Sequence, residues 1–375
     1  MNPFNPSMGY LPQHLVGRED DLDEVAYALD SGSGALGRVS LFTGVRGIGK
    51  TTMLTAIGEE ALQRGWYVID DYATAGLLDR ITDALHAIAG TNSNEVRRVV
   101  TGASVSVTGL SLTSAPVAKQ ARSLRSVLTS VIDSLPVNQG VLITVDEVQA
   151  SNGNSRSSDE LRELGNIIQL LIREQRDIAA AFAGLPSSIR AILSDDRGGP
   201  LTFLRRALRF DLGPVPLTAV EEAIRATIID AGGTIDDECV ETAAAATGGY
   251  PFLIQLIGYY TWRSAKAGNV TATDVTTGIA AARRRLGNLV HDTALADLSS
   301  VDKTFLLAMA TDDGPCQMKD IQTRMGVDRL YAGKYRQRLI AAGMIIAPAH
   351  GQVDFALPYM REFLRTHGAS LGIEL

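Results

Sequence analysis

Two adjacent acidic residues follow a strongly apolar run in this sequence. The run "VLITV" occupies residues 141–145, and Asp146 and Glu147 come directly after it. Like charges side by side repel each other, and a carboxylate is costly in an apolar core, so the pair needs polar partners. A divalent cation and a reacting water molecule would supply them. The pattern therefore predicts a buried strand that presents a metal ligand, Asp146, and a general base, Glu147.

A glycine-rich segment upstream supplies the phosphate site that this interpretation requires. Residues 38–54, "RVSLFTGVRGIGKTTML", join a short apolar strand to a helical pattern through the spacing G-x-x-x-x-G-K-[ST]. The glycines let backbone N–H groups converge on a polyanion, and the helix N-terminus adds favourable partial charge. Lys50 is expected to reach the β- and γ-phosphates of ATP, while Thr51 and Asp146 hold Mg²⁺. The predicted nucleotide contacts in this segment are Gly44, Val45, Arg46, Gly47, Ile48, Gly49, Lys50, Thr51 and Thr52.

A box just before the phosphate loop resembles that of a known family. Residues 14–25, "HLVGREDDLDEV", are similar to the V-G-R-E box of AAA+ ATPases in the origin-recognition and STAND branch, which includes archaeal-type ATPases. In that family the box lines the adenine pocket. The resemblance therefore implies nucleotide contacts for Val16, Gly17 and Arg18. Taken alone, the same residues also fit a helix start followed by a solvated acidic run.

A second segment resembles the lid of the STAND group. Residues 246–262, "ATGGYPFLIQLIGYYTW", are similar to its G-x-P segment, in which the motif opens a helix against the nucleotide base. The resemblance implies that Tyr250 and Pro251 bind the nucleotide there. A proline in the first turn is also ordinary helix chemistry.

The resemblance also indicates where the γ-phosphate would be sensed. The strand "DIAAAFAG" ends at Gly184, in the position where the family usually has a polar sensor-1 side chain. Arg205 and Arg206 occupy the place of the family's arginine finger, which stabilises charge on the transferred phosphoryl group. Arg206 is the preferred catalytic candidate and Arg205 the alternative. Solvated charges at a helix end explain both arginines equally well.

The spacing of apolar segments predicts an α/β fold. The predicted strands are residues 39–43, 66–70, 141–146, 179–183 and 208–212. Helical patterns between them favour a five-stranded parallel sheet covered on both faces. The family resemblance implies that this sheet is the core of a P-loop AAA+ fold. Alternating residues at 101–116 predict an inserted β-hairpin that covers the core or projects toward a partner. Ser157 and Glu160 predict a capping box at the start of the helix after Glu147.

The region beyond the sheet divides into two further predicted domains. The predicted boundaries are 1–213 for the nucleotide-binding domain, 214–290 for an α-helical lid and 291–375 for the C-terminal domain. The last has three helical patterns followed by two strands, an order that resembles a winged helix.

The third of these helical patterns is the predicted DNA-contacting helix. It places Lys334, Gln337 and Arg338 on its outer face, in a stretch from 329 to 338 that has four basic residues and no acid. Such a helix suits phosphates and base edges of double-stranded DNA. The whole region 295–375 is nevertheless balanced, with nine basic and nine acidic residues. Since winged helices also dock proteins, a DNA partner and a protein partner both remain open.

Net charge, cysteine content and hydropathy indicate where in the cell the protein is expected to act. A net charge of −7 argues against bulk electrostatic binding of nucleic acid but leaves room for a local basic face. Cys239 and Cys316 are far apart in the sequence, which suits a reducing compartment. No apolar run approaches a membrane span, and the first 13 residues lack the features of a signal peptide. We therefore expect a cytoplasmic protein that does not enter a membrane.

Together these features predict an ATP-hydrolysing AAA+ switch. The exchange of ATP for ADP is expected to control the C-terminal winged helix, with DNA as the favoured partner and self-assembly as a further option. One alternative is a signalling or defence ATPase that gates a protein partner without binding DNA. Another is a nucleotide sensor whose hydrolysis is negligible because a polar sensor 1 is missing.

Overall fold

The chain folds into two compact units. The computed structural model describes residues 1–7, 9–90, 97–101, 123–148, 155–189, 204–296 and 298–368. The first unit, here called the sheet unit, comprises Arg18–Thr43 and Lys50–Asp211. The second, the helical unit, comprises Met1–Gly17, Gly44–Gly49 and Leu212–Leu375. The domain boundaries proposed from the sequence, at 213 and 290, stay predictions.

The sheet unit is organised around a parallel sheet of six strands. They are β1 (Val39–Thr43), β2 (Tyr67–Tyr72), β3 (Arg98–Val100), β4 (Val141–Asp146), β5 (Ile178–Gly184) and β6 (Leu208–Asp211). Their order across the sheet is β3-β2-β4-β5-β1-β6. Strands β1, β4 and β5 are buried along their whole length, and most of their residues are apolar. The α/β parallel-sheet fold expected from the sequence is confirmed.

Several helices in the described part of the sheet unit accompany this sheet. They are α1 (Glu19–Asp30), α2 (Lys50–Gln63), α3 (Leu77–Gly90), α4 (Leu124–Ser134) and α5 (Ser155–Arg173). Apolar side chains spaced at helical intervals, such as Leu77, Ile81 and Leu85 of α3, pack with the strands in one buried cluster. This packing holds the carboxyl ends of the strands, where polar residues begin.

The predicted count of five strands is wrong, because β3 adds a sixth. Its residues pair in parallel with β2, from Val68↔Arg98 to Asp70↔Val100. Three residues are too few to show a periodic pattern, so this edge strand has no clear signature in the sequence. The predicted hairpin at 101–116 lies outside the described residues, apart from Thr101.

The predicted Ser157/Glu160 capping box is also wrong. Helix α5 already begins at Ser155, so Ser157 is inside it. The Glu160 carboxylate instead accepts hydrogen bonds from the N–H groups of Gly76, at 2.7 Å, and Leu77, at 2.9 Å. It therefore caps the start of α3, a contact between distant residues that local spacing cannot reveal.

The helical unit contains a first group of helices after residue 212. They are α6 (Leu217–Asp230), α7 (Asp237–Thr247), α8 (Pro251–Ser264), α9 (Ala272–Leu286), a π-helical turn (Gly287–His291) and α10 (Asp292–Ala296). Local chemistry explains their ends. Asp236 caps α7, Thr271 and Asp274 form a capping box on α9, and Pro251 occupies the first turn of α8.

The remainder of this unit, here called the C-terminal module, is the segment 300–367. Its elements are α11 (Ser300–Ala310), β7 (Cys316–Gln317), α12 (Met318–Met325), α13 (Arg329–Ala341), β8 (Ile345–Ile346), β9 (Gln352–Phe355) and α14 (Met360–His367). The strands form a small sheet in the order β7-β9-β8, with antiparallel pairs. Apolar residues of the module, among them Phe305, Leu339 and Val353, form a buried cluster that also includes Ala294 and Leu295 of α10. Within the described part of the chain, no helix is both long and apolar enough to cross a membrane.

Candidate functional site

The structure brings Thr51 and Asp146 together in the sheet unit. Helix α2 starts at Lys50, which is buried, and the hydroxyl of the next residue, Thr51, donates a hydrogen bond of 2.5 Å to Asp146 Oδ2. Asp146 ends β4 and is only 6% exposed. A hydroxyl and a carboxylate oxygen are hard donors of the kind that Mg²⁺ prefers. The two side chains therefore suit the metal role proposed for them.

Glu147 has a strained backbone directly after β4. Its φ is +54°, a left-handed conformation that is uncommon for a residue with a side chain. Its N–H donates a 2.7 Å hydrogen bond to Asp146 Oδ1. The side chain of Glu147 is exposed while that of Asp146 is buried. Strain of this type often marks a functional residue, which agrees with the role of general base.

In the described parts of the chain, no three His, Cys, Asp or Glu side chains are grouped to hold a metal ion. A Mg²⁺ ion at Thr51 and Asp146 would therefore complete its coordination with water and phosphate oxygens. Mg²⁺ commonly binds through one or two protein ligands in this way at sites that handle nucleoside triphosphates. Thr51 and Asp146 therefore offer two of the oxygen ligands that such an ion would need.

Tyr72 is a neighbour that the sequence patterns did not single out. It ends β2 and pairs in register with Asp146 of β4. Burial raises the pKa of its hydroxyl, and the nearby negative charges of Asp146 and Glu147 raise it further. The phenol is therefore a neutral hydrogen-bond donor at the carboxyl ends of the strands. Its position at the end of a strand next to β4 is the signal that could have revealed it.

The phosphate loop, residues 44–49, contacts Tyr250 within the helical unit, and a methyl group at Gly49 would lie 3.9 Å from Pro251. Gly47 and Gly49 have φ of +73° and +94°. The Tyr250 hydroxyl donates a 2.5 Å hydrogen bond to the carbonyl of Arg46, and a methyl group at Gly47 would overlap that hydroxyl. Burial raises the pKa of Tyr250, so the hydroxyl remains a donor. The resemblance implies that Tyr250 and Pro251 contact the nucleotide base, whereas the contacts seen here are with the loop itself.

The remaining loop residues pack closely or lie near the surface. Ile48 is buried, and a methyl group at Gly44 would approach its side chain to 2.5 Å. Val45 is partly exposed, as is Thr52 at the start of α2. Lys50 follows Gly49 without a break, so loop and helix provide the predicted strand–loop–helix sequence of elements.

The residues of the V-G-R-E box fall into both units. In the helical unit, Gly17 has φ of +66°, and a methyl group there would lie 2.9 Å from a Val215 methyl carbon. Val215 in turn donates from its N–H to the Gly249 carbonyl at 2.7 Å. Val16 is partly exposed. The box glycine thus packs on a segment that is bonded to the turn before Tyr250.

Arg18, the third residue of the box, belongs to the sheet unit. It stands at the N-cap position of α1, where its N–H donates a 2.8 Å hydrogen bond to Glu19. Burial lowers the pKa of its guanidinium, although Asp21 and Glu19 oppose this effect. A half-buried cation at this point suits contact with an anionic ligand.

The positions proposed to sense the γ-phosphate are the end of β5 and the two arginines before β6. Strand β5 ends at Gly184, paired with Thr43 of β1, so no side chain is available there. Arg205 and Arg206 lie just before β6 with exposed side chains. Their role as an arginine finger stays a prediction.

The predicted DNA-contacting residues on α13 differ from one another. Lys334 and Gln337 are exposed. Arg338 is 50% exposed and forms a 2.8 Å ion pair with Asp302, which is 1% exposed. The charge of Arg338 is therefore partly balanced by an acidic residue of the same module. Leu330, near the start of the same helix, is 86% exposed.

Comparisons with known proteins connect these features to two families and to solved structures. Residues 14–176 match the AAA ATPase domain, and residues 288–364 match a domain of unknown function, DUF8462. The fold is similar to that of a Walker-type ATPase of Pyrococcus abyssi, with a TM-score of 0.68 and 15% identity over 95% of this chain and 97% of that chain. It is also similar to the ORC2 protein of Aeropyrum pernix in ADPNP-ADP complexes, with a TM-score of 0.63 and 15% identity over 98% of each chain. No curated protein sequence matches this chain.

Proposed function

We propose that this chain, whose residues 14–176 match the AAA ATPase domain, is an archaeal-type AAA+ ATPase that binds Mg-ATP on residues 44–51 and hydrolyses it. The observation that carries this proposal is the 2.5 Å hydrogen bond between Thr51 and Asp146. It joins the end of the phosphate motif to the acidic end of β4. The glycines of the loop and the buried Lys50 supply the surroundings that phosphates need.

Each residue has a defined role in the proposed reaction. Lys50 would bind the β- and γ-phosphates, and Thr51 and Asp146 would hold Mg²⁺, which neutralises phosphate charge when bound. Glu147 would orient a water molecule and accept its proton. The water oxygen forms a bond to the γ-phosphorus as the bond to the bridging β–γ oxygen breaks. The products are ADP and inorganic phosphate.

Turnover measurements test this assignment. Glu147→Gln keeps the size of the side chain but removes its basicity, so we expect ATP turnover to fall roughly 100-fold to 10,000-fold while ATP binding persists. Glu163→Gln, an exposed change on α5, is the matched control and should turn over ATP like the wild type. Equal rates for the wild type and Glu147→Gln, with both well above background, would refute the role of Glu147.

We further propose that the nucleotide state governs a C-terminal winged helix that binds double-stranded DNA. The element order of the C-terminal module supports this, as does the exposure of Lys334 and Gln337 on α13. Lys334→Ala combined with Arg338→Ala should weaken a duplex mobility shift and reduce its dependence on salt. Lys319→Ala, on α12, is the control. Absence of any shift at low salt would rule out this partner.

One observation favours a protein partner instead. Leu330 and Tyr331 at the start of α13 are exposed apolar and aromatic side chains, which are typical of protein-docking surfaces. A protein-gating ATPase would bind no duplex at low salt and would associate with its partner in an ATP-dependent way. The same mobility-shift experiment therefore separates the two proposals.

A second observation favours a slow nucleotide sensor. Because β5 ends in Gly184, the position of sensor 1 offers no polar side chain to the γ-phosphate. If the wild type binds ATP but its hydrolysis, like that of Glu147→Gln, does not exceed background, the chain acts as a sensor. A wild-type rate that clearly exceeds that of the variant supports the ATPase.

A further inference from the structure

A short turn in the helical unit is held on two sides by tyrosine hydroxyls. This turn, Ala246–Tyr250, links α7 to α8 and here is called the α7–α8 turn. Gly248 and Gly249 adopt left-handed φ values of +56° and +74°. The buried Thr247 hydroxyl accepts a 3.0 Å hydrogen bond from the Gly249 N–H and donates one of 2.6 Å to Ala244. The turn is thus braced by its own hydrogen bonds.

The turn is packed closely on one side, at Gly249, by the segment around Val215. A methyl group at Gly249 would overlap the carbonyl of Val215, and the Val215 N–H donates to the Gly249 carbonyl. This packing and hydrogen bond restrict how far Gly249 can move without Val215. We therefore expect a displacement of Tyr250 to shift Ala246 at the other end of the turn.

The first tyrosine connects the turn to the phosphate loop. Tyr250 is buried, and its hydroxyl donates to the carbonyl of Arg46 at 2.5 Å. Gly47 lies against the same hydroxyl, so any rearrangement of the loop around a phosphate must either carry Tyr250 with it or break this bond. Tyr250 is thereby placed to follow the state of the loop.

The second tyrosine connects the turn to the C-terminal module. The Tyr359 hydroxyl donates a 2.5 Å hydrogen bond to the carbonyl of Ala246 and accepts one of 3.0 Å from Arg283 of α9. The Arg283 guanidinium also lies over the Tyr359 ring, 4.2 Å from its centre. Ala246 is in the last turn of α7, where carbonyls lack partners within the helix. Tyr359 therefore caps α7 from the module.

Tyr359 is itself fixed in position. Its φ is +58°, a strained value for a residue with a side chain. The preceding carbonyl, of Pro358, accepts a 2.9 Å hydrogen bond from Nε2 of the buried His291. In α14, Phe363 packs against Gly287 and the His291 ring. The strained conformation persists because contacts on both sides hold it.

We infer that the α7–α8 turn is a relay through which the phosphate loop and the C-terminal module sense each other, with Tyr250 and Tyr359 as its two contacts. The inference rests on the proposed function, because it requires ATP to bind the loop. Both tyrosines act as positioning residues that need not touch the nucleotide. Coupling is reciprocal, so if ATP and ADP shift the state of the module differently, that state in turn shifts their affinities. We therefore expect a change at Tyr359 to alter nucleotide binding and a change at the loop to alter the module.

Nucleotide affinities test one direction of the relay. Tyr359→Phe removes one hydroxyl and retains the ring beneath Arg283. We expect it to change the ratio of the dissociation constants for ATP and ADP by roughly threefold to tenfold, which corresponds to about one hydrogen bond. Tyr250→Phe should change the same ratio, and the double variant should change it by less than the product of the single effects. Tyr27→Phe, an exposed hydroxyl on α1, should leave the ratio unchanged.

Amide hydrogen exchange tests the other direction in the full chain. With the wild type, exchange in α14 should differ between ADP and a non-hydrolysable ATP analogue. Tyr250→Phe should abolish this difference, although the substitution lies more than 100 residues away in sequence. A merely structural role for Tyr250 would lower protection in both nucleotide states equally and leave the difference intact.

Two failures can be told apart. If the wild type binds ATP and ADP but Tyr359→Phe leaves their ratio unchanged, or α14 does not respond to nucleotide, the relay is refuted and ATP binding stands. If the wild type binds neither nucleotide, the proposed function fails and the relay fails with it.

Discussion

The end of β4 and the outer face of α13 both present a charged side chain, but they balance its charge in opposite ways. Asp146 is 6% exposed, and the hydrogen bonds described above reach it from neutral donors, the Thr51 hydroxyl and the Glu147 N–H. Arg338 is half exposed and pairs with the buried carboxylate of Asp302. The donors to Asp146 are neutral and provide no positive charge, so a metal ion could supply it. Arg338, in contrast, already has a counter-ion in the buried carboxylate of Asp302.

This comparison teaches which charges are available for a ligand. At the end of β4, the carboxylate of Asp146 is available for the metal ion that we propose it binds. On α13, Arg338 forms an ion pair with Asp302 of α11. Lys334 and Gln337 are exposed and could contact a partner without breaking this pair. The substitutions below act on one region and should leave the other unaffected.

The largest effect is expected at the end of β4. Asp146→Asn keeps the shape of the side chain but removes the negative charge proposed to hold Mg²⁺. We expect ATP turnover to fall roughly 100-fold or more, because metal and phosphate charge would no longer be balanced. Steady-state hydrolysis measured over a range of Mg²⁺ concentrations checks this. DNA binding by the variant without nucleotide should match the wild type, and a turnover loss below about threefold would contradict the assignment.

A large effect on stability is expected at Asp302. Its carboxylate accepts hydrogen bonds from Ser299, as part of the capping box on α11, and from Arg338. Asp302→Ala removes both, and we expect the free energy of opening the C-terminal module to fall by about 2–4 kcal/mol. Hydrogen exchange of α11 and α13 measures this quantity.

The matched control for Asp302→Ala is Asp320→Ala, an exposed acidic residue on α12. Its effect on module opening should be small. ATP turnover without DNA should be unchanged in both variants. Equal protection of α11 in the two variants would show that the buried pair does not hold α13 in place.

The third prediction concerns the pH dependence of the C-terminal module. Burial lowers the pKa of His291 from 6.5 to about 4. As pH falls, the unfolded chain takes up this proton first, so the stability contribution is complete above pH 6.5 and is lost progressively toward pH 4. We therefore expect the module to open more easily at pH 5 than at pH 7, as measured by its resistance to urea.

His291→Gln is the companion variant for this prediction. Gln retains an N–H donor for the Pro358 carbonyl and cannot take up a proton in this range. The variant should lose less stability than the wild type between pH 7 and pH 5. Identical pH profiles for the two proteins would assign the effect to other groups.

The smallest effect is expected for a single exposed cation on α13. Lys334→Ala should weaken duplex binding by roughly twofold to fivefold and flatten its salt dependence by about one phosphate contact. Stability should be unchanged within about 0.5 kcal/mol, since surface substitutions have small effects. Parallel mobility shifts and hydrogen exchange measure both. Arg338→Ala should instead lower both DNA affinity and the stability of the module.

The sequence predicts the phosphate-loop end of the molecule well because its chemistry depends on short, fixed spacings. The run from β1 through Gly44 to Lys50 specifies a strand, a loop and a helix within a few residues. The apolar character of β4 indicates that it is buried, so the acids that follow must emerge at the carboxyl edge of the sheet. The six-stranded α/β fold could accordingly be anticipated except for β3, which is too short to show a pattern.

Contacts between distant residues could not be anticipated in the same way. Glu160 caps α3 rather than its own helix, and Arg338 pairs with Asp302 across 36 positions of sequence. A polar side chain on a helix face looks alike whether it meets solvent or a buried partner. Tyr359 illustrates the same limit, because its hydrogen bond to Ala246 spans 113 positions.

The most direct test of the central claim is the binding of Mg-ATP itself. Titration calorimetry should show one nucleotide per chain for the wild type and for Lys266→Ala, a change at an exposed lysine in the helical unit. Lys50→Ala should lose most or all of this heat, because it removes the buried ammonium that we propose binds the phosphates. No heat for the wild type, or equal affinity in Lys50→Ala, would contradict the account.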